Sequence, residues 1–229
     1  MELEDLEKID GKKMYREYDR WPEIARESFE KSFKKFEECG TGYLRGGRLQ
    51  EYTFEGKKGI LITTADLLKD SPDNRPQEDR SIYGKTIFID HETKSHMIFS
   101  KGHRNAQGLF AKDNIILSTE HGPKGGDEIN INHQPQKKIK NFGWPIASYG
   151  EHYYKNYSKE ILDQAPLNKS HKKYGLEEPI KYFVPSIGIS EIISLNVNDK
   201  EFLVGAMGNE IAEQDLGLHF IKLGDKKKK

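Results

Sequence analysis

Apolar and polar positions change their rhythm near Gly40. Between Trp21 and Cys39, the residues Ile24, Phe29, Phe33 and Phe36 recur at mostly helical spacing, with Glu, Lys and Arg between them. Pro22 stands where a first helical turn tolerates proline, and Gly40 lies just past the last apolar position. This pattern predicts an amphipathic helix, either packed on the domain or offered to a partner. After Gly40 the runs shorten and fill with β-branched and aromatic residues. Arg48 to Phe54 and Gly59 to Thr64 read as strands around a turn at Glu55-Gly56-Lys57-Lys58. Leu67 to Arg80 reads as a polar loop. Lys85 to Asp90 and Ser95 to Lys101 form a hairpin around His91-Glu92-Thr93-Lys94, followed by strands at Gly108 to Ala111, Ile115 to Thr119 and Glu128 to Asn132. Gln134 to Glu177 reads as a long irregular segment. The last strands are Ile192 to Val197, Glu201 to Ala206 and Leu218 to Leu223.

Many short strands with frequent turns predict an all-β domain: a sandwich, a barrel or a propeller. Strands do not alternate with helices, which argues against a doubly wound α/β fold. No clean repeat is visible, and propeller blades can diverge that far. The chain divides on this reading into a charged N-terminal segment (1–40), a β domain (41–224) and a basic tail (225–229).

Composition adds limits. The 229 residues are 34% hydrophobic and 32% charged, with 11 Phe and 11 Tyr available for a core. The 37 basic and 37 acidic residues balance, so no global field attracts nucleic acid or an anionic membrane. The single cysteine, Cys39, excludes an internal disulfide and a Cys-based zinc cluster. No window approaches the ~18 apolar residues of a spanning helix. Met1 to Lys13 lacks the apolar stretch of a secretory signal.

Chemistry concentrates in the middle third. Gly102-His103-Arg104-Asn105-Ala106-Gln107-Gly108-Leu109 is followed by Glu120-His121-Gly122-Pro123-Lys124-Gly125-Gly126-Asp127-Glu128-Ile129-Asn130, and then by Asn141-Phe142-Gly143-Trp144-Pro145. This succession resembles the glucose/sorbosone dehydrogenase family, soluble aldose dehydrogenases that use pyrroloquinoline quinone (PQQ). Weaker likeness extends upstream through Gly46-Gly47-Arg48-Leu49, Thr64-Ala65-Asp66 and the segment Gly84 to Asp90. Downstream it continues through the segments Pro185 to Ser190 and Phe202 to Ala206.

The resemblance implies a six-bladed β-propeller, here incomplete, since a blade takes about 40–45 residues and the chain would hold about five at most. It implies oxidation of the C1 hydroxyl of an aldose to a lactone, with hydride passing to PQQ, Ca²⁺ beside it, a separate electron acceptor, and a periplasmic setting. Arg104 matches the family arginine at the reacting quinone and sugar oxygens, where a fixed fork of donors stabilises negative charge. Asn105 matches a cofactor-contacting asparagine, and His121 stands where members carry Gln or His. The backbone carbonyls of Gly122 and Pro123 match the Ca²⁺ ligands, oxygen donors as a hard cation requires. Asp127 and Glu128 belong to the motif without an assigned role. A homodimer would cap the open ends of an incomplete ring.

Two departures stand out. The family's base histidine lies four or five residues before the arginine of the Gly-Gly-Arg-Leu block, where this chain has Leu44 and Tyr43. Neither accepts a proton at neutral pH. The later Arg-x-Arg-Asp segment that holds the cofactor's carboxylates would fall beyond Lys229. A second reading is therefore a non-catalytic relative or fragment that binds a carbohydrate or a protein partner. Simpler readings also exist for single residues: Arg104-Asn105 as a turn, Lys124-Gly125-Gly126 as a hairpin turn, and Trp144 as a packing anchor. The histidines of His91-Glu92-Thr93-Lys94-Ser95-His96 are five apart, not the four of a zinc-protease helix. The Tyr- and Lys-rich stretch Tyr149 to Tyr174 reads as a solvated loop.

Overall fold

A computed structural model describes residues 46–66, 74–195, 200–208 and 217–224. The chain divides into two units, 1–42 and 43–229, and every described residue lies in the second. The helix expected at Trp21 to Cys39, and Tyr43 and Leu44, fall outside the described residues.

The first sheet is a meander of β1 (Gly46–Phe54), β2 (Lys57–Thr64), β3 (Lys85–Asp90) and β4 (His96–Lys101). The turn between β1 and β2 is tighter than the sequence suggested. Phe54 pairs directly with Lys57, leaving a two-residue turn in which Glu55 and Gly56 both have positive φ, 49° and 78°. That is the turn whose twist matches a β-hairpin. The second sheet runs β5 (Ala106–Lys112), β6 (Ile115–Glu120) and β7 (Asp127–His133). β8 (Lys140–Asn141) returns to the first sheet, parallel to β4. The second sheet's fourth strand is β9 (Lys181–Phe183), which the sequence pattern did not reveal. The third comprises β10 (Ile189–Ser194), β11 (Glu201–Ala206) and β12 (Gly217–Lys222).

The first strands of successive sheets lie side by side: β1 against β5, and β5 against β10. Gln50 and Ala111 fasten the first pair reciprocally, Gln50 Nε2 donating to the Ala111 carbonyl (2.7 Å) and Oε1 accepting its amide (2.8 Å). Tyr52 Oη donates to the Asp113 carbonyl at 2.6 Å. Meanders stacked by their first strands are the blades of a β-propeller, and three are present among the described residues. Connections between β8 and β9 take up residues 142–180. These include a short helix, α1 (Lys159–Gln164), capped by Ser158.

The core fills the spaces between blades. Tyr52, Phe54, Leu61, Phe88 and Phe99 meet Leu109, Ala111 and Ile116 between the first two. Leu117, Ile129, Ile189, Ile192, Phe202 and Val204 pack between the second and third. Neighbouring Ile116 and Leu117 serve different cores, because successive side chains of a strand point to opposite faces. A central blade is therefore apolar on both faces, which explains why β6 lacks a clean polar alternation.

One buried charge shapes the loop before β3. Lys85 is fully buried, and its ammonium donates to the carbonyls of Arg75 (3.1 Å), Pro76 (2.9 Å) and Tyr83 (2.7 Å). Burial lowers its pKa to about 8. The three carbonyls use all three ammonium donors and fold the loop back beside the strand ends.

Candidate functional site

The strand ends carrying the sequence blocks are stitched together at one end of the blades. The Gly46 amide donates to Asn105 Oδ1 (3.2 Å), the Asp66 amide to the Arg104 carbonyl (2.8 Å), the His103 amide to the Gly84 carbonyl (3.1 Å), and the His121 amide to the Asn105 carbonyl (3.0 Å). Blocks separated by tens of residues thus converge on Arg104.

Arg104 is only 3% exposed. Its Nη1 donates to the carbonyls of His121 (3.1 Å) and Gly122 (2.6 Å), and its Nη2 to the Tyr153 hydroxyl (3.1 Å). The guanidinium carbon lies 5.4 Å from the centre of the Trp144 ring and 5.7 Å from that of Tyr153. Nε is buried and has no partner. A buried donor without an acceptor is uncommon, and at a concave site it marks a place for one from a ligand. Arg104 is thus a candidate site residue as well as part of a turn. Trp144 both packs and contacts the cation, with its Nε1 fixed by Asp66 Oδ2 at 2.7 Å.

Asn105 faces inward with less freedom: its Oδ1 already accepts from the Gly46 amide and from Gln107 Nε2 (2.8 Å). His121 is half-buried beside Asp127, their nearest atoms 3.9 Å apart. Burial pushes the imidazole below its ordinary value despite the Asp127 charge, so it is neutral at neutral pH.

The Gly122-to-Gly126 loop is closely folded. A Cβ on Gly122 would come within 2.2 Å of the Gly126 carbonyl oxygen, so only glycine fits. The Gly122 carbonyl already receives positive charge from Arg104, and carbonyl oxygens of this kind are the donors a hard cation takes. The unpartnered Arg104 Nε suits an anionic ligand, while a cation at the Gly122 carbonyl would have to displace its hydrogen bond from Arg104. Among the described residues, no group of three or more His, Cys, Asp and Glu could hold a metal.

Asp127 acquires a role the sequence did not assign. Fully buried, it accepts from the Gly122 amide (3.1 Å), the Ser186 hydroxyl (3.0 Å), and the amides of Ile187 and Ile189 (3.0 Å each). It ties the Gly122 loop to the third blade. Glu120 is a second residue that pattern reading passed over, although it heads the Glu-His-Gly-Pro block. Its Oε2 accepts the Arg104 amide (2.8 Å), and its Oε1 lies 3.2 Å from His103 Nδ1. Tyr153 left no signal, because its partner Arg104 lies 49 residues earlier.

Meanders stacked by their first strands, with Arg104, Asn105 and the Gly122-Pro123 turn gathered at one end, define a β-propeller with a candidate site at its strand ends. Residues 23–216 match the glucose/sorbosone dehydrogenase family, and the chain belongs to that family. It is similar to the aldose sugar dehydrogenase YliI of Escherichia coli, 32% identical over 185 residues, covering 73% of this chain and 45% of the relative. An 80-residue stretch, 33% of the chain and 15% of the relative, is 41% identical to quinoprotein glucose dehydrogenase B of Acinetobacter calcoaceticus. The soluble aldose sugar dehydrogenase of Escherichia coli, solved in its apo form, superposes with a TM-score of 0.58 at 25% identity, over 80% of this chain and 52% of that one. The chain spans about half the length of these aldose dehydrogenase relatives.

Proposed function

We propose that this chain forms the Arg104 side of a PQQ-dependent aldose dehydrogenase site. The observation that carries the reading is Arg104: buried, flanked by Trp144 and Tyr153, with an Nε that has no partner inside the protein. When bound there, PQQ would supply a two-electron acceptor for oxidation of the sugar C1 hydroxyl to a lactone. Arg104 would hold negative charge at the quinone oxygens, and Asn105 and His121 would line the cofactor. The carbonyls of Gly122 and Pro123 would hold Ca²⁺. The apolar faces of Trp144 and Phe142 would keep water from the reacting atoms. A periplasmic location accompanies this reading.

The non-catalytic alternative rests on Tyr43 and Leu44 standing where the family has its base histidine. Reconstitution with PQQ and Ca²⁺, followed by dye reduction with a panel of aldoses, separates the two. The enzyme reading expects saturable quinone binding and turnover that falls about 100-fold or more in Arg104→Ala, the scale of losing one preorganised donor. Quinone binding without turnover would support the alternative, and no quinone binding would overturn the enzyme reading.

A further inference from the structure

His171 is fully buried, and neither of its ring nitrogens has a hydrogen-bond partner. It sits between two carboxylates: Nε2 is 3.5 Å from Glu128 Oε1, and Nδ1 is 3.8 Å from Glu178 Oε2. The two carboxylates have different surroundings. The Glu128 side chain is 8% exposed and lines, with Arg104, Phe142 and Trp144, a cavity of about 10 Å³, room for about one water. The Glu178 side chain is 35% exposed. Its carboxylate accepts from the Tyr149 hydroxyl (2.7 Å), the Lys172 amide (2.8 Å) and the Ser170 hydroxyl (3.4 Å).

We propose that Glu128, His171 and Glu178 form a proton relay connecting the cavity lined by Arg104 to the protein surface. Of the three proton distributions that give both ring nitrogens a partner, the burial of Glu128 against the more exposed Glu178 favours one, because a buried carboxyl is less costly when neutral. Glu128 carries a proton and points it at His171 Nε2, while the neutral imidazole points Nδ1–H at an ionised Glu178. Closing gaps of 3.5 and 3.8 Å to about 2.9 Å needs shifts of about 0.6 and 0.9 Å, and such contacts are often long in unliganded sites.

The electrostatics agree at all three groups. Burial raises the Glu128 carboxyl well above its ordinary value, and the neighbouring Glu120, Glu178 and Asp127 charges add to this against the Asn130 amide. Burial also lowers His171, with Glu178 and Glu120 opposing. At Glu178 burial acts upward, but the Lys172 amide, the Tyr149 hydroxyl and His171 outweigh it and hold the carboxyl below its ordinary value.

One stroke moves the Glu128 proton to Nε2 and the Nδ1 proton to Glu178, and from there to water. Glu128 is left ionised, and the reverse stroke, with a proton taken from water at Glu178, returns a proton to Glu128 and restores the starting tautomer. As a path that exchanges protons between the reacting site and solvent during hydroxyl oxidation, the relay rests on the dehydrogenase reading. Proton exchange along it does not.

The test therefore uses the protein without cofactor. Infrared spectroscopy at neutral pH should show the stretch of a protonated buried carboxyl that disappears in Glu128→Gln. On transfer to D₂O that band should shift within the mixing time in the wild type. It should exchange at least 10-fold more slowly in His171→Phe and in Glu178→Gln, the second a half-exposed change that spares the core. Nitrogen-15 NMR should find His171 neutral with the proton on Nδ1. Absence of the band, its persistence in Glu128→Gln, or unchanged exchange in Glu178→Gln would each overturn the relay. Failure to bind quinone would overturn the dehydrogenase reading and leave these outcomes readable.

Discussion

Asp127 Oδ1 accepts the Gly122 amide at 3.1 Å, and its other oxygen holds the amides of Ile187 and Ile189. A single buried carboxylate therefore sets the loop whose carbonyls face Arg104 and joins it to the next blade. Hydrogen bonds to a charged acceptor contribute about 1.5–3 kcal/mol each, less the desolvation of the group. Asp127→Asn keeps the shape but turns one oxygen into a donor facing other donors. The expected loss is about 3 kcal/mol, seen as a fall in melting temperature of about 6–12 °C. A shift under about 2 °C would show that the carboxylate is dispensable.

Lys85 poses a related test with the opposite charge. Its ammonium bonds three main-chain carbonyls of the loop before β3. Lys85→Met retains most of the volume and removes every donor. Buried acceptors left without partners cost about 1–3 kcal/mol each when water cannot reach them, so thermal unfolding should report about 2–4 kcal/mol of destabilisation. The loop also reaches the site, since Gln77 Nε2 donates to the Trp144 carbonyl at 2.7 Å. Hydrogen exchange should accordingly accelerate at the Gly102 amide, which donates to the Pro76 carbonyl.

Glu128 links pH to stability. Its folded pKa lies well above the ordinary 4.5, so the native state keeps a proton that the unfolded chain releases. Stability from this group is complete below about pH 4.5 and is lost as pH rises through the folded value. His171, lowered from 6.5, acts in the opposite sense, favouring the fold as pH rises through its two values. Glu128→Gln removes the first dependence and leaves the second. The melting temperature of the variant relative to wild type should therefore climb between pH 5 and pH 8. A constant difference would mean that Glu128 is ionised in the native protein.

Much of the fold was legible because local rules dictated it. The Lys85–Asp90 and Glu201–Ala206 strands have the boundaries the pattern predicts, since β-branched and aromatic runs end at turn residues there. The Glu55-Gly56 turn was placed correctly but drawn too long, because register across the hairpin decides where pairing starts. β9 was invisible: Lys181–Phe183 is three residues long and is a strand only because β7 offers it an edge. At the site, Arg104 and the Gly122-Pro123 turn were readable as contiguous motifs. Glu120, Asp127 and Tyr153 gained their roles only when the fold brought them to Arg104 or to the Gly122 loop. His171 lies in a stretch that reads as a solvated loop, yet the structure buries it completely.

The sequence by itself determined the family, the succession of short strands, and the arginine, asparagine and glycine-proline turn that carry the motif, because these depend on residue type and spacing along the chain. The tertiary structure decided which of them meet. Stacking of the blades brings Asp127 to the third blade, and the connection between β8 and β9 brings Tyr153 to Arg104 and His171 between Glu128 and Glu178. A titratable side chain's charge state and role depend on burial and on partners far away in the chain, and only the packed fold supplies either.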